Sequence, residues 1–287
     1  MRLGPYAAFL CGTSCYALIR IVNPADTKTE QGASILMDRL KRHSDSGYTL
    51  VEVLLVVIIL GILSTVALKS LGKVNETARI ERTKQTLDRL AVAIAGDPLV
   101  ITDGQRASFG YVGDVGALPP NLDALVQNPG GYSTWKGPYV RDQFTSGGAN
   151  SSFKQDGWGN NILYSGTITL ITTSGGTALT RNIAGSVADL TLNRITAVIT
   201  DWDRTPPGTT YKDSLRCVLS YPNGSGAITN RTRYPDRGGR VQFDSVPIGL
   251  QDLVVVYVPT SDTLRRKIAV EPRTEAYLEI ALYRNTW

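Results

Sequence analysis

From Leu50 to Leu68 the chain is apolar at almost every position, and Glu52 is the one charged residue in that run. About twenty apolar residues are enough for a helix to cross a bilayer. Beyond the run the pattern becomes one-sided. Ile80, Leu87, Leu90, Ala91 and Ile94 recur at spacings of three, four and seven, while Arg79, Glu81, Arg82, Lys84, Asp88 and Arg89 fill the other side. That is the period of a helix with a single buried stripe. No proline occurs between Tyr48 and Asp97, and Gly96-Asp97-Pro98 supplies a stop. The pattern predicts one helix over residues 48–95, roughly 70 Å long at 1.5 Å per residue, apolar all round in its first half and amphipathic in its second.

After this helix the periodicity changes. Ile162-Leu163-Tyr164 and Thr167–Ile171, closed by a Gly175-Gly176 turn, read as strands of a small hairpin. Further strands are predicted over Arg194–Thr200, Ser214–Tyr221, Arg240–Phe243, Leu250–Val258, Arg265–Val270 and Ala276–Tyr283. Turn signals separate them at Pro206-Pro207-Gly208, Pro222-Asn223-Gly224 and Pro235–Gly239. Leu215, Cys217 and Leu219 alternate with Arg216, Val218 and Ser220, so Cys217 reads as a buried small apolar residue rather than a reactive thiol.

Charge and composition narrow the function classes. The net charge is +5; residues 1–47 hold six basic and four acidic side chains, so the remainder keeps +3 from 24 basic and 21 acidic. No clustered basic stripe accompanies that balance, so no nucleic-acid partner is expected. The one histidine is His43, and Cys11 and Cys15 lie upstream of it. Downstream of Gly47 the chain therefore has no histidine for a Ser-His-Asp or Cys-His unit or a His-containing zinc site, and Cys217 has no cysteine partner there. Asp201 and Asp203 flank Trp202, but acids in such a place are usually solvated. An enzyme is not expected, and neither is a cofactor.

The stretch Gly47-Tyr48-Thr49-Leu50-Val51-Glu52 at the head of the apolar run resembles the class III signal of type IV prepilins and type II secretion pseudopilins. That family has a short basic leader ending in Gly, an aromatic first mature residue and Glu fifth; Tyr48 stands where Phe is usual. The resemblance implies cleavage after Gly47 by a membrane aspartyl prepilin peptidase and methylation of the new amine on Tyr48. It also implies a filament role for Glu52. A lone acid in a membrane run costs roughly 2.5–3.5 kcal/mol on insertion scales, which marks it as functional. Its carboxylate is read as pairing with the amine of Tyr48, in its own chain or a neighbouring one; the alternative is a side chain tolerated near the interface by snorkelling.

Met37-Asp38-Arg39-Leu40-Lys41-Arg42-His43-Ser44-Asp45-Ser46-Gly47 has the form of such a leader. Residues 1–36 then read as an upstream in-frame extension, the rival being a secretory signal over Ala7–Val22, which Arg20 interrupts. Arg39, Lys41 and Arg42 keep the leader cytosolic and send the C-terminal bulk outward. The expected location is the bacterial inner membrane, single-pass, with the C-terminal domains periplasmic or in an extracellular filament.

Two further stretches resemble the major pseudopilin of type II secretion. Gly116-Ala117-Leu118-Pro119-Pro120-Asn121-Leu122-Asp123-Ala124-Leu125 matches a proline turn running into a short helix. Trp135-Lys136-Gly137-Pro138-Tyr139-Val140, with Asp156-Gly157-Trp158-Gly159-Asn160 after it, matches the entry to that family's small sheet. Asp156 and Gly157 turn the chain, and Trp158 and Tyr164 are read as core. The family's last loop usually carries acids that bind calcium. The corresponding Thr172–Thr180 has no carboxylate. Calcium takes six to eight oxygens, so no metal is expected, even with Asp156 nearby.

The run Gly239–Gly249, with its Val246-Pro247-Ile248-Gly249 turn, resembles the transthyretin-like sandwich of carboxypeptidase regulatory domains, usually non-catalytic spacers or adhesion modules. The fold class expected is therefore α+β. A long N-terminal transmembrane and amphipathic helix packs on a small antiparallel sheet, and an all-β sandwich follows. The expected division is a leader to residue 47, the transmembrane half over 48–70, a pseudopilin-like head over 71–188 and the sandwich over 189–287. The function implied is a structural subunit of a type II secretion pseudopilus or type IV pilus, assembled with copies of itself and other pilins. The alternative is a minor pilin that acts mainly as a binding module through its sandwich.

Overall fold

A computed structural model describes residues 47–141, 151–176 and 178–287. The readings placed on Met37, Arg39, Lys41, Arg42, His43, Cys11 and Cys15 lie outside the described residues. The chain divides into two compact units, the first ending at Thr65 and the second running Val66–Trp287. The fold is α+β, a long apolar N-terminal helix followed by a β-rich region.

Helix α1 spans Leu50–Ala95, 46 residues. It starts two residues later than the pattern alone suggests, because Thr49 takes the Glu52 N–H on both its hydroxyl (3.3 Å) and its carbonyl (3.0 Å). It ends where the glycine signal places it. Gly96 adopts a positive φ of 80°, and a Cβ there would meet the Ser108 carbonyl at 2.3 Å. Arg106 closes the same end, donating from Nη2 to the Ala95 carbonyl at 2.6 Å and lying 4.8 Å over the Phe109 ring. This satisfies a carbonyl that the last helical turn leaves without an intrahelical partner.

The first apolar core of the second unit gathers the buried stripe of α1, chiefly Leu87, Leu90 and Ile94, with Tyr111, Val112, Leu125 and Leu170. Helix α2 (Gly110–Val115) and a 3₁₀ turn over Leu122–Leu125 supply the middle members. That turn is the short helix expected after the prolines, and Asn121 caps it by accepting the Ala124 N–H at 3.1 Å. The strands here are not all the ones the pattern suggests. β1 (Ile101–Thr102) and β2 (Gln105–Arg106) form a minimal ribbon, and β3 (Thr169–Thr172) pairs with β4 (Leu179–Asn182). Ile162-Leu163-Tyr164 is not a strand. It makes one isolated bridge, Leu163 to Ile171, while Ile162 alone turns into the core and Leu163 is exposed. Three residues that serve different faces have no ladder to extend.

A helix α3 (Val187–Thr191), opened by a capping box between Ser186 and Asp189, leads into the C-terminal part. Two sheets face each other there. One has the order β10-β9-β6-β7 and the other β11-β5-β8. The strands are β5 (Asn193–Thr200), β6 (Leu215–Pro222), β7 (Ile228–Arg233), β8 (Arg240–Val246), β9 (Gly249–Tyr257), β10 (Asp262–Val270) and β11 (Glu275–Ala281). Their inward residues, among them Ile199, Cys217, Leu219, Phe243, Val255 and Ile280, make a second core. Burial pushes the Cys217 thiol up to about 12, as suits an inert core residue. β7 is a strand that the pattern does not disclose. Pro247-Ile248 carries the chain from one sheet to the other between β8 and β9.

The two cores meet at the turns. Ile248 belongs to the first core, and its N–H reaches the Leu190 carbonyl at 2.9 Å. Gly224 N–H reaches the Val115 carbonyl at 2.8 Å, and Ser133 N–H the Gly226 carbonyl at 2.9 Å. A side chain on Gly226 would collide with the Tyr132 ring at 2.2 Å.

Candidate functional site

Gly47, Tyr48 and Thr49 precede α1 outside regular structure, and Glu52 lies in its first turn. Tyr48 is 82% exposed. The Gly47–Tyr48 bond thus sits on an accessible, non-helical segment. A Cβ built on Gly47 meets nothing within 4 Å, so among the described residues the fold makes no demand for glycine there. If glycine matters, the constraint comes from something that binds the chain.

Glu52 is exposed, and among the described residues no cation pairs with it. Its position in the first turn is favourable to a negative charge, since the helix dipole is positive at that end. Every residue from Leu50 to Leu68 is likewise exposed. α1 is the one helix among the described residues that is long and apolar enough to cross a membrane. The three residues singled out by sequence therefore stand together at the head of that helix, over six consecutive positions.

The second place the sequence singles out is the loop after β3, where the resemblance would have calcium but no metal is expected. Asp156 is buried and fully engaged by the protein itself. Its carboxylate accepts the N–H groups of Trp158 (2.8 Å) and Asn160 (2.9 Å) and the Thr172 hydroxyl (2.7 Å). Burial works against the charged form, but the bonds from Ser174, Thr172, Asn160 and Trp158 outweigh it and hold the group below its ordinary value. Hydroxyls on Thr172 and Ser174 thus meet Asp156 across the loop. Among the described residues there is no group of three or more His, Cys, Asp or Glu side chains that could hold a metal.

The neighbouring Gly157 ties this turn to α1. Its N–H donates to Thr83 Oγ1 at 2.8 Å, and a Cβ on it would strike the Arg79 carbonyl at 2.3 Å. Thr83 was not read from the sequence as an interior residue, yet it is fully buried. Trp158 and Tyr164 are half-buried rather than core, Tyr164 anchoring its hydroxyl on the Pro119 carbonyl at 3.0 Å. Trp135 donates to the Ala124 carbonyl at 2.9 Å and meets Tyr139 edge-on, with 5.8 Å between centroids. Asp201 is a correction: it is buried, accepting the Thr205 N–H at 3.0 Å to close a turn, whereas Asp203 is exposed.

Residues 42–68, which contain Gly47, Tyr48 and Glu52, match the family model described as a prokaryotic N-terminal methylation motif. Over 124 residues the chain is 29% identical to the type II secretion system core protein G of Xanthomonas campestris pv. campestris, which covers 43% of this chain and 70% of that protein. Among solved structures, the pilus 2b backbone protein of group B streptococcus is 10% identical, with a TM-score of 0.23 over 40% of this chain and 48% of its own. BcpA, the major pilin subunit of Bacillus cereus, is 13% identical, with a TM-score of 0.21 over 41% of this chain and 37% of its own. The chain spans less than half of either structure, and likenesses this slight carry no argument. The motif and the secretion-system relative support the pseudopilin and type IV pilin family.

Proposed function

We propose that this chain is a structural subunit of a pilus or pseudopilus, made as a precursor, cut after Gly47 and methylated on the amine of Tyr48. The observation that carries the reading is the set Gly47, Tyr48 and Glu52 at the head of an exposed apolar helix, within the matched methylation motif. The accessible Gly47–Tyr48 bond is the substrate of a prepilin peptidase, and the glycine serves that enzyme's pocket, since the fold leaves room for a side chain. The secretion-system relative favours a pseudopilus over a type IV pilus. Subunits of this family are generally not enzymes.

Residues 48–70 are the membrane-anchoring part, with residues 71–188 a head and 189–287 a sandwich on the outward side of a bacterial inner membrane. Its partners are the peptidase, copies of itself and other pilins or pseudopilins. Within the bundle of such helices, Glu52 pairs with the positive amine of Tyr48. That amine, free only once the Gly47–Tyr48 bond is cut, belongs to its own chain or to a neighbouring subunit. Lipid solvates neither charge, so an incoming subunit gains most where the two meet, and that fixes its axial step.

Intact-mass measurement of the membrane-extracted protein tests this reading. The expected species begins at Tyr48 and carries one added methyl group. A bulky residue in place of Gly47 is expected to leave the precursor whole. Retention of residues upstream of Tyr48 in the wild-type protein overturns it.

A further inference from the structure

The hairpin that follows α1 carries apolar side chains that its own chain does not cover. β1 and β2 meet over two register pairs, Ile101 with Arg106 and Thr102 with Gln105, and Asp103 and Gly104 close them at positive φ. That is the two-residue turn a tight hairpin favours. Leu99 is 85% exposed, more than any other large apolar side chain among the described residues, and Ile101 is 63% exposed. Roughly 40 Å of helix separates Ala95 from Leu68, so a bilayer around the Leu50–Leu68 run does not reach them. The charges are one-sided as well. Asp97 and Asp103 bracket the apolar residues, and neither has an ion pair among the described residues. Arg106 is turned inward onto the Ala95 carbonyl.

A groove of about 980 Å³ lies elsewhere on the same body, between the last turns of α1 and the segments around Tyr139 and Gly157. Among the described residues, none from the hairpin lines it. Leu90, Ala93, Val140 and Phe153 make it apolar. Arg82 and Arg89, two turns apart on one face of α1, and Arg141 make it basic. None of these three guanidinium groups has an ion pair among the described residues. The acids beside them are engaged already. Asp88 pairs with Arg181 at 2.6 Å, and Asp156 accepts from Trp158, Asn160 and Thr172. The groove is thus an apolar trough with three unpaired positive charges, and the hairpin an apolar finger with two unpaired negative ones.

We infer that the Leu99–Ile101 hairpin of one subunit seats in the groove of Arg82, Arg89 and Arg141 on a second copy. This rests on the filament reading above and supplies it with a contact between heads. Finger and trough are different surfaces, so the contact does not close on itself as a two-fold pair does. Each added copy leaves one groove and one hairpin free, and the chain of copies stays open. Aliphatic side chains against an apolar floor, with arginine beside them, have the makeup of an interface core. The opposite charges set which way round the two surfaces meet.

Crosslinking of the full chain in cells tests the contact. The probe is a short bismaleimide, which spans gaps too wide for a disulfide. Cys217 is sealed in the second core and stays unreactive. A chain with both Gln85→Cys in the groove and Leu99→Cys on the hairpin is expected to give a ladder of dimers, trimers and longer species. Either cysteine alone, and the parent chain, should give none. Leu99→Ser with Ile101→Ser, and separately Arg82→Glu with Arg89→Glu, should each lower the filaments recovered by shearing about tenfold. All four positions are exposed, so these variants should melt with the parent. Val258→Ser, at an exposed apolar position in the turn after β9, should leave filaments unchanged. A dimer from Leu99→Cys alone overturns the inference, since it makes the contact two-fold. So does a missing ladder in cells whose parent chain still yields filaments, and that result leaves the assembly reading standing. A parent chain that yields no filaments removes the assembly reading and this contact with it.

Discussion

The apolar side chains of α1 fall into two sets. From Leu50 to Leu68 none is covered by protein, and they surround the helix on every side. From Leu87 to Ala95 all but Val92 are buried along one side, and Leu90 and Ile94 are sealed inside the first core. Composition is similar in the two sets; arrangement is not. A stripe can be covered by one folded body, and the chain supplies that body. An all-round apolar surface needs a medium that surrounds it, which is a bilayer or a bundle of like helices. The same chemistry thus makes a core in one place and an anchor in the other.

The sharpest way to break the comparison is Glu52→Ala. Insertion should survive, since removing a charge from an apolar segment eases it. Cleavage after Gly47 should survive as well. Filaments recovered by shearing or crosslinking should fall by about tenfold or more, because the Tyr48 amine loses its partner in a medium that cannot solvate it. Glu52→Asp should be intermediate and Glu52→Gln should resemble alanine. Normal assembly of the alanine variant would make Glu52 a bystander.

Next in size is Leu90→Ala beside Leu60→Ala. The first empties a sealed position and should cost about 2–5 kcal/mol in denaturant unfolding of the detergent-extracted protein. The second, on the uncovered half, should cost less than about 0.5 kcal/mol. Equal costs would show that the two sets are not solvated differently.

A smaller effect is expected at the turn that docks on the covered half. The Asp156 carboxyl is held below its ordinary value, so its contribution is present above the unfolded pKa and lost as pH falls through the folded one. Stability should therefore drop below about pH 4, where an unfolded carboxylate titrates. Asp156→Asn should cost about 1–3 kcal/mol at neutral pH and flatten the acid limb of the profile. An unchanged acid limb would remove Asp156 from the account.

The smallest is a null. The Asp156 oxygens are already taken by hydroxyls and amides, so adding calcium should leave the melting temperature within about a degree. A large rise would reveal an ion that binds the folded state.

What the sequence disclosed follows the same division. The apolar run, the Gly-aromatic-Glu spacing and the Gly96 stop act through neighbours in sequence, and each is legible. Asn121 before its 3₁₀ turn is legible for the same reason. Thr83 was not, because its burial depends on Gly157 arriving from 74 positions away. β7 was missed because Ile228-Thr229-Asn230-Arg231-Thr232-Arg233 is an edge strand that buries almost nothing, so no alternation marks it. The strand over Ala276–Ala281 is legible from its alternation, but its parallel partner β5 is not, since it lies about eighty residues away.

That parallel pairing has a mechanical consequence. The chain enters the sandwich at the start of β5 and finishes its last strand at the end of β11, and the two run side by side in the same direction over seven register pairs. The start of one and the end of the other are therefore at opposite ends of the ladder. A pull between them slides the strands past each other and loads all the backbone bonds at once. An antiparallel pair in that place would bring its two free ends together and unzip one bond at a time. A load applied beyond Ala281 and resisted through Asn193 meets the strands in shear, the direction in which a sheet yields last.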